Sequence, residues 1–290
     1  MSGSEVKSEA NRVTPVYAMS TCLKPEQGLD ATLEQIAAGG FGEVEIGCSD
    51  PSYVEAMAPR TDDIARKLRS LGLACRVGHA PCVDVDLGSL DESHRQESLQ
   101  WFERSFELFA RLSVEFLIVH PNAWRTDYSD ANRDATRSQT VLSLQRLARR
   151  SGDLGIKMAV ENLQSLGLPR PGCSIADNLD MIEGLGDHVG LCLDTAHACW
   201  SGYVPADEVH VAGRNLFTLH IVDTDGHSDP HWIPGRGVID WESFLDALDE
   251  IGFAGPRTLE LEAIDDQPAR VIGAALALAQ RWQQRKEVSE

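Results

Sequence analysis

The chain has 290 residues, 42% of them apolar, which is enough for a sizeable core and excludes wholesale disorder. Its formal net charge of −19 argues against a surface that grips phosphate backbones over a wide area, although bound metal ions could still build a local positive site. Seven cysteines without a Cys-x-x-Cys pair, no signal peptide and no long apolar run predict reduced thiols in a cytoplasm and no membrane span.

Residues 1–13 are polar and without periodicity and read as a disordered tail. Residues 14–285 read as one domain, since no linker divides them. Short apolar runs predict strands near Val16–Met19, Glu43–Ile46, Ala74–His79, Glu115–His120, Met158–Glu161, Gly190–Asp194, Leu216–Val222 and Thr258–Glu262. Helical patterns lie between them. Thr61 is expected to cap a segment with Ile64, Leu68 and Leu71 on one face, and Leu99, Phe102, Phe106 and Phe109 stripe a long helix. Asp240 is expected to cap a helix carrying Trp241, Phe244, Leu245 and Leu248, and Val271, Ala275, Leu278 and Trp282 line the last one. Eight strand–helix units in this length predict an α/β fold, a (β/α)8 TIM barrel in a single domain. A doubly wound open sheet is the alternative, but no Gly-rich phosphate loop follows the first strand.

The placement of polar residues supports the barrel further. Ionisable side chains end strand after strand: His79, His120, Glu161, Asp194 with His197, His220 and Glu260. A barrel gathers its active site at those ends. After His220 the chain runs through Asp223-Thr-Asp-Gly to Asp229-x-His231 and Pro234-Gly-Arg236-Gly, adding oxygen and nitrogen donors suited to Zn²⁺ or Mn²⁺. Taken singly, each residue has a plainer explanation: a hydrogen-bonded strand-end histidine, Asp194 as a helix cap, Glu161, Glu260 or Glu262 as a solvated charge. Six strands ending independently in His, Asp or Glu would be a rare coincidence, and a joint metal site explains it. His94, His188 and His210 read as surface residues of helices or loops, and His227 is left open.

With His-Ala-Pro at 79–81, Val-His-Pro at 119–121, Glu-Asn at 161–162, Asp-Thr-x-His at 194–197, His-x-x-Asp at 220–223, Asp-x-His at 229–231 and Gly-x-Gly at 235–237, the chain resembles the xylose isomerase-like TIM-barrel superfamily from about Val16 to Leu278. That group contains sugar-phosphate isomerases and epimerases and the endonuclease IV family of abasic-site nucleases. In its isomerase branch the resemblance implies one metal held by Glu161, Asp194, His220 and Glu260. In its nuclease branch it implies two more, held through His79, His120, His197, Asp229 and His231. The implied cofactor is therefore one to three divalent ions, Zn or Mn.

Two chemistries follow from the resemblance. The first is a divalent-metal-dependent isomerase or epimerase, or a related dehydratase, acting on a keto-sugar, sugar phosphate or cyclitol through a metal-stabilised enediolate. Glu161 and Glu260 would be its catalytic carboxylates, and His197, Arg236 and Trp232 would bind substrate, with Trp124 and Trp200 as further candidate faces for a sugar ring. The alternative is a multinuclear-zinc phosphoesterase of endonuclease IV type, with Glu161 bridging two ions. The net charge and the lack of a basic, aromatic-tipped loop argue against nucleic acid and for a small carbohydrate-like partner. A homo-oligomer is compatible with either chemistry.

Overall fold

The computed structural model describes residues 16–24, 27–123, 129–165, 170–263 and 267–285; the tail at 1–13 and Trp124 lie outside them. Its strands fall where the apolar runs placed them. They are β1 (Tyr17–Ser20), β2 (Glu43–Gly47), β3 (Ala74–His79), β4 (Phe116–Val119), β5 (Lys157–Glu161), β6 (Val189–Asp194), β7 (Leu216–Ile221) and β8 (Arg257–Leu259). Each pairs in parallel with the next, and β1 pairs with β8 through Tyr17–Arg257 and Met19–Leu259. The sheet is thus a closed eight-stranded barrel, and the open doubly wound alternative falls.

The helices are α1 (Leu29–Ala38), α2 (Pro51–Met57), α3 (Thr61–Leu71), α4 (Glu92–Arg111), α5 (Asp130–Leu154), α6 (Ile175–Ile182), α7 (Thr195–Trp200), α8 (Pro205–Ala212), α9 (Trp241–Glu250) and α10 (Pro268–Gln284). Asp91 starts α4 by accepting from the Ser93 and His94 amides, and Asp240 does the same for α9 with Glu242 and Ser243. Leu99, Phe102, Phe106 and Phe109 are all buried on the inner face of α4. A side chain at Gly78 would collide with the Phe109 ring, which is why strand β3 carries glycine under that helix. One expectation is corrected. Thr61 is not a cap but the first residue of α3, where its hydroxyl donates back to the Ala58 carbonyl in the preceding 3-10 turn.

Side chains alternate across each strand, so every second residue faces the barrel axis. Val77, Phe116, Ile118, Ala159 and Cys192 form a small inner cluster, separate from the large core between sheet and helices. Two positions beyond Val77, Ile118, Ala159 and Cys192 come His79, His120, Glu161 and Asp194. The period that packs the barrel interior therefore also aims these polar side chains at its C-terminal mouth. His120 sits just beyond its hydrogen-bonded strand, as Glu260 does, since β4 ends at Val119 and β8 at Leu259. No helix among the described residues is long and apolar enough to cross a membrane, and all seven cysteines are free thiols.

Candidate metal centre and active-site cavity

At the C-terminal mouth lies a cavity of about 1000 Å³, lined by His79, His120, Glu161, His197, Asp229, His231 and Glu260 together with groups from the first three strand–helix units. Glu161 is the hub. Its Oε2 lies 3.1 Å from both His79 Nε2 and His120 Nε2, and its Oε1 lies 3.2 Å from His220 Nδ1 and 3.4 Å from His197 Nδ1. His220 Nδ1 is also 3.1 Å from Glu260 Oε2 and 4.0 Å from Asp194 Oδ2. Glu161, Asp194, His220 and Glu260 thereby bring one donor atom each within 4.8 Å of one another; His79, His120 and Glu161 do the same as a second group.

Asp194 is divided between two duties. Its Oδ1 caps α7 by accepting from the His197 amide at 2.6 Å, so the helix-cap explanation is correct for that oxygen. Its Oδ2 is buried and has no hydrogen-bond partner. A buried carboxylate oxygen without a partner is costly and calls for an explanation. A divalent cation among three carboxylates and an imidazole nitrogen satisfies it, and that mixed oxygen–nitrogen set suits Zn²⁺ or Mn²⁺. The residues present fit the ion.

The loop after β7 carries the remaining donors. His197 Nε2 lies 3.0 Å from Asp229 Oδ2, and His231 Nε2 lies 3.5 Å from the same oxygen. His231 is held with φ +48° and its Nδ1 lies 2.8 Å from the Glu260 carbonyl. Asp223 is no candidate ligand but the peg of this loop. Its Oδ2 accepts from the Gly235 amide at 2.7 Å, the Gly237 amide at 2.9 Å and the Trp241 indole at 3.0 Å. A side chain at Gly237 would meet the Thr224 carbonyl and the Asp223 carboxylate, so only glycine closes the turn.

The electrostatics follow from packing acids and imidazoles together. Burial would raise the Glu161 carboxyl, but His220 and His120 hold it well below the usual carboxylate range. Burial pushes Asp194 up to about 7, aided by Asp229, Glu161 and Glu260 and opposed by His197. Burial would lower His231, but Asp229 overrides it and lifts the imidazole to about 10.

Of the expected site residues, the nine His, Asp and Glu candidates converge at this mouth. Arg236 and Trp232 do not line the cavity. They stack on one another, the guanidinium 4.5 Å from the ring centroid, and the half-buried indole is occupied by that contact. Trp200 does line it. His210 is an exposed partner of Glu250, His188 Nε2 meets the Ala148 carbonyl, His94 is half-buried on α4 and His227 is exposed. Sequence reasoning missed Glu45 and Arg170, both buried. The signal for Glu45 was a carboxylate inside a strand buried on both faces, where a charge must be paired.

The sequence profile described as xylose isomerase-like TIM barrel matches residues 33–282. A D-psicose 3-epimerase of Enterocloster bolteae is 23% identical over 235 residues, covering 79% of this chain and 75% of the relative. A probable endonuclease 4 of Halorhodospira halophila is 26% identical over 241 residues, covering 77% of each chain. Among solved structures, an IolI protein with a bound zinc atom superposes with a TM-score of 0.74 at 21% identity, covering 93% of this chain and 97% of the other. The chain belongs to the xylose isomerase-like TIM barrel family.

Proposed function

We propose that this protein is a divalent-metal-dependent isomerase or epimerase of a keto-sugar or cyclitol. The observation that carries this reading is the quartet Glu161, Asp194, His220 and Glu260, compact enough for one ion and open to a cavity large enough for a sugar. The similarity to a D-psicose 3-epimerase supports it. When bound, the ion supplies Lewis acidity that polarises a substrate carbonyl and lowers the barrier to losing the adjacent C–H proton.

The chain's own residues then divide the work. Glu161 and Glu260 both reach the cavity from strands on either side of β6 and β7. One carboxylate accepts the C–H proton and the other returns a proton from the opposite face, which inverts or relocates the centre. His197, its two ring nitrogens taken by the Asn162 carbonyl and by Asp229, holds the Asp229 carboxylate in place at the cavity wall. The surrounding wall, with Leu29, Tyr53, Met57 and Val83, offers apolar surface to the carbon face of a substrate.

A multinuclear phosphoesterase is the second reading, favoured by the His79–His120–Glu161 group and by the probable endonuclease 4 relative. The two part at Glu161. For an isomerase, Glu161→Gln abolishes solvent-deuterium incorporation into substrate and leaves measurable substrate binding, because the amide keeps the shape but cannot accept a proton. In a metal-bridging role the same change costs more than one ion per chain, whereas the isomerase can lose at most the single ion of the quartet. Wild-type and variant protein are compared by metal analysis and by NMR of a keto-sugar and cyclitol panel in deuterated water. Cleavage of a phosphodiester with no exchange of any sugar in the panel overturns the isomerase reading.

A further inference from the structure

Glu45 sits on β2, on the far side of His220 from the quartet, and neither side chain is exposed to solvent. His220 Nε2 lies 3.2 Å from both carboxylate oxygens of Glu45, while His220 Nδ1 faces Glu161 and Glu260. The carboxylate is itself held on both sides. Its Oε2 accepts from the Thr258 hydroxyl at 2.9 Å and its Oε1 from the Ser20 hydroxyl at 3.4 Å. β1, β2, β7 and β8 therefore all contribute to one buried chain of hydrogen bonds that ends on the imidazole. A carboxylate that accepts from one ring nitrogen fixes that nitrogen as the N–H and leaves the lone pair on the other.

We infer that Glu45 is the positioning residue of the metal centre. It dictates the His220 tautomer with the proton on Nε2, aims Nδ1 into the quartet and raises the basicity of that nitrogen toward a divalent cation. The inference rests on the metal reading above but not on the reaction catalysed. A purely structural Glu45 would tie β1 to β8 through Ser20 and Thr258, and its loss would move stability alone.

The test is Glu45→Gln, which keeps volume and hydrogen-bonding reach but removes the charge that polarises the imidazole. Zinc affinity is measured by chelator competition, the visible spectrum of the cobalt-loaded protein reports the ligand field, and the metal-free proteins are compared by thermal melting. Affinity is expected to fall about 10- to 100-fold with a shifted cobalt spectrum, the usual consequence of losing such a partner. Should E45Q not fold, Thr258→Val removes one hydroxyl that orients the carboxylate, leaves His220 intact and must weaken zinc binding in the same direction. A shifted melting temperature with zinc affinity and cobalt spectrum unchanged overturns the inference and leaves the metal reading standing. Wild-type protein that binds neither ion overturns both.

Discussion

Replacing Asp223 by alanine tests how the β7 loop holds its part of the site. The carboxylate anchors three donors on Oδ2, the Gly235 and Gly237 amides and the Trp241 indole, and its Oδ1 accepts from the Thr224 amide at 2.9 Å. Hydrogen bonds to a charged acceptor contribute about 1.5–3 kcal/mol each, so three of them set a ceiling of roughly 4–9 kcal/mol. Gly235 is exposed and Gly237 half-buried, so water replaces part of the loss. The expected destabilisation is about 2–4 kcal/mol, and Asp223→Asn, which can keep one acceptor toward the same donors, should recover about half of it. Asp229 and His231 ride on this loop, so zinc affinity or substrate KM should worsen along with stability. Urea denaturation followed by circular dichroism gives the first number and chelator competition or kinetics the second. A loss under about 0.5 kcal/mol would refute the assignment of Asp223 as the peg.

Two further outcomes follow from the site. Arg236→Ala should leave kcat/KM within about twofold of wild type, because Arg236 spends its guanidinium on Trp232 outside the cavity; a tenfold loss in steady-state assays would restore it as a substrate contact. Metal uptake at pH 7 should release about one to two protons per ion, read by calorimetry in buffers of different ionisation enthalpy. In the metal-free protein His220 is held protonated well above the ordinary imidazole range, where burial is outweighed by nearby groups including Glu260, Glu45 and Glu161, and Asp194 titrates at about 7. Both protons must leave for the ion, so affinity rises with pH; no proton release and a flat affinity between about pH 6 and 8 would contradict this.

The barrel and the strand-end members of the candidate site, His79, His120, Glu161, Asp194, His220 and Glu260, were legible in the sequence for one reason. A parallel barrel strand buries both faces, so its apolar run is continuous and any ionisable residue at its end stands out, as His79 does after Val77 and Glu161 after Ala159. Glu45 was hidden because it lies inside its strand rather than at the end, between Val44 and Ile46, and looks like ordinary alternation. Thr61 misled because threonine before an apolar repeat is a capping signal, while the turn at 58–60 had already begun the helix. Arg236 and Trp232 misled because sequence proximity to His231 says nothing about direction: the chain turns at Pro234 and Gly235 and carries Arg236 back onto the indole.

The number of ions per chain is where the two chemistries separate most cleanly, and the hydrogen bonding of the site favours one. Asp194 Oδ2 has no partner and does not line the cavity, so neither bulk water nor a substrate hydroxyl reaches it. The second group differs. His79 Nδ1 lies 2.6 Å from the Ala80 carbonyl, and its Nε2 shares Glu161 Oε2 with His120 Nε2, so both imidazoles already have partners. Asp229 also keeps a buried partnerless oxygen, Oδ1, while its Oδ2 is shared between His197 and His231. One ion in the quartet would satisfy Asp194 Oδ2 and leave His79 and His120 to orient Glu161. The expected stoichiometry is one zinc or manganese per chain after dialysis against a weak chelator, measured by plasma emission spectrometry. Two or three ions retained under the same conditions would turn Glu161 into a bridge, take away its freedom to move a proton, and transfer the assignment to the hydrolase.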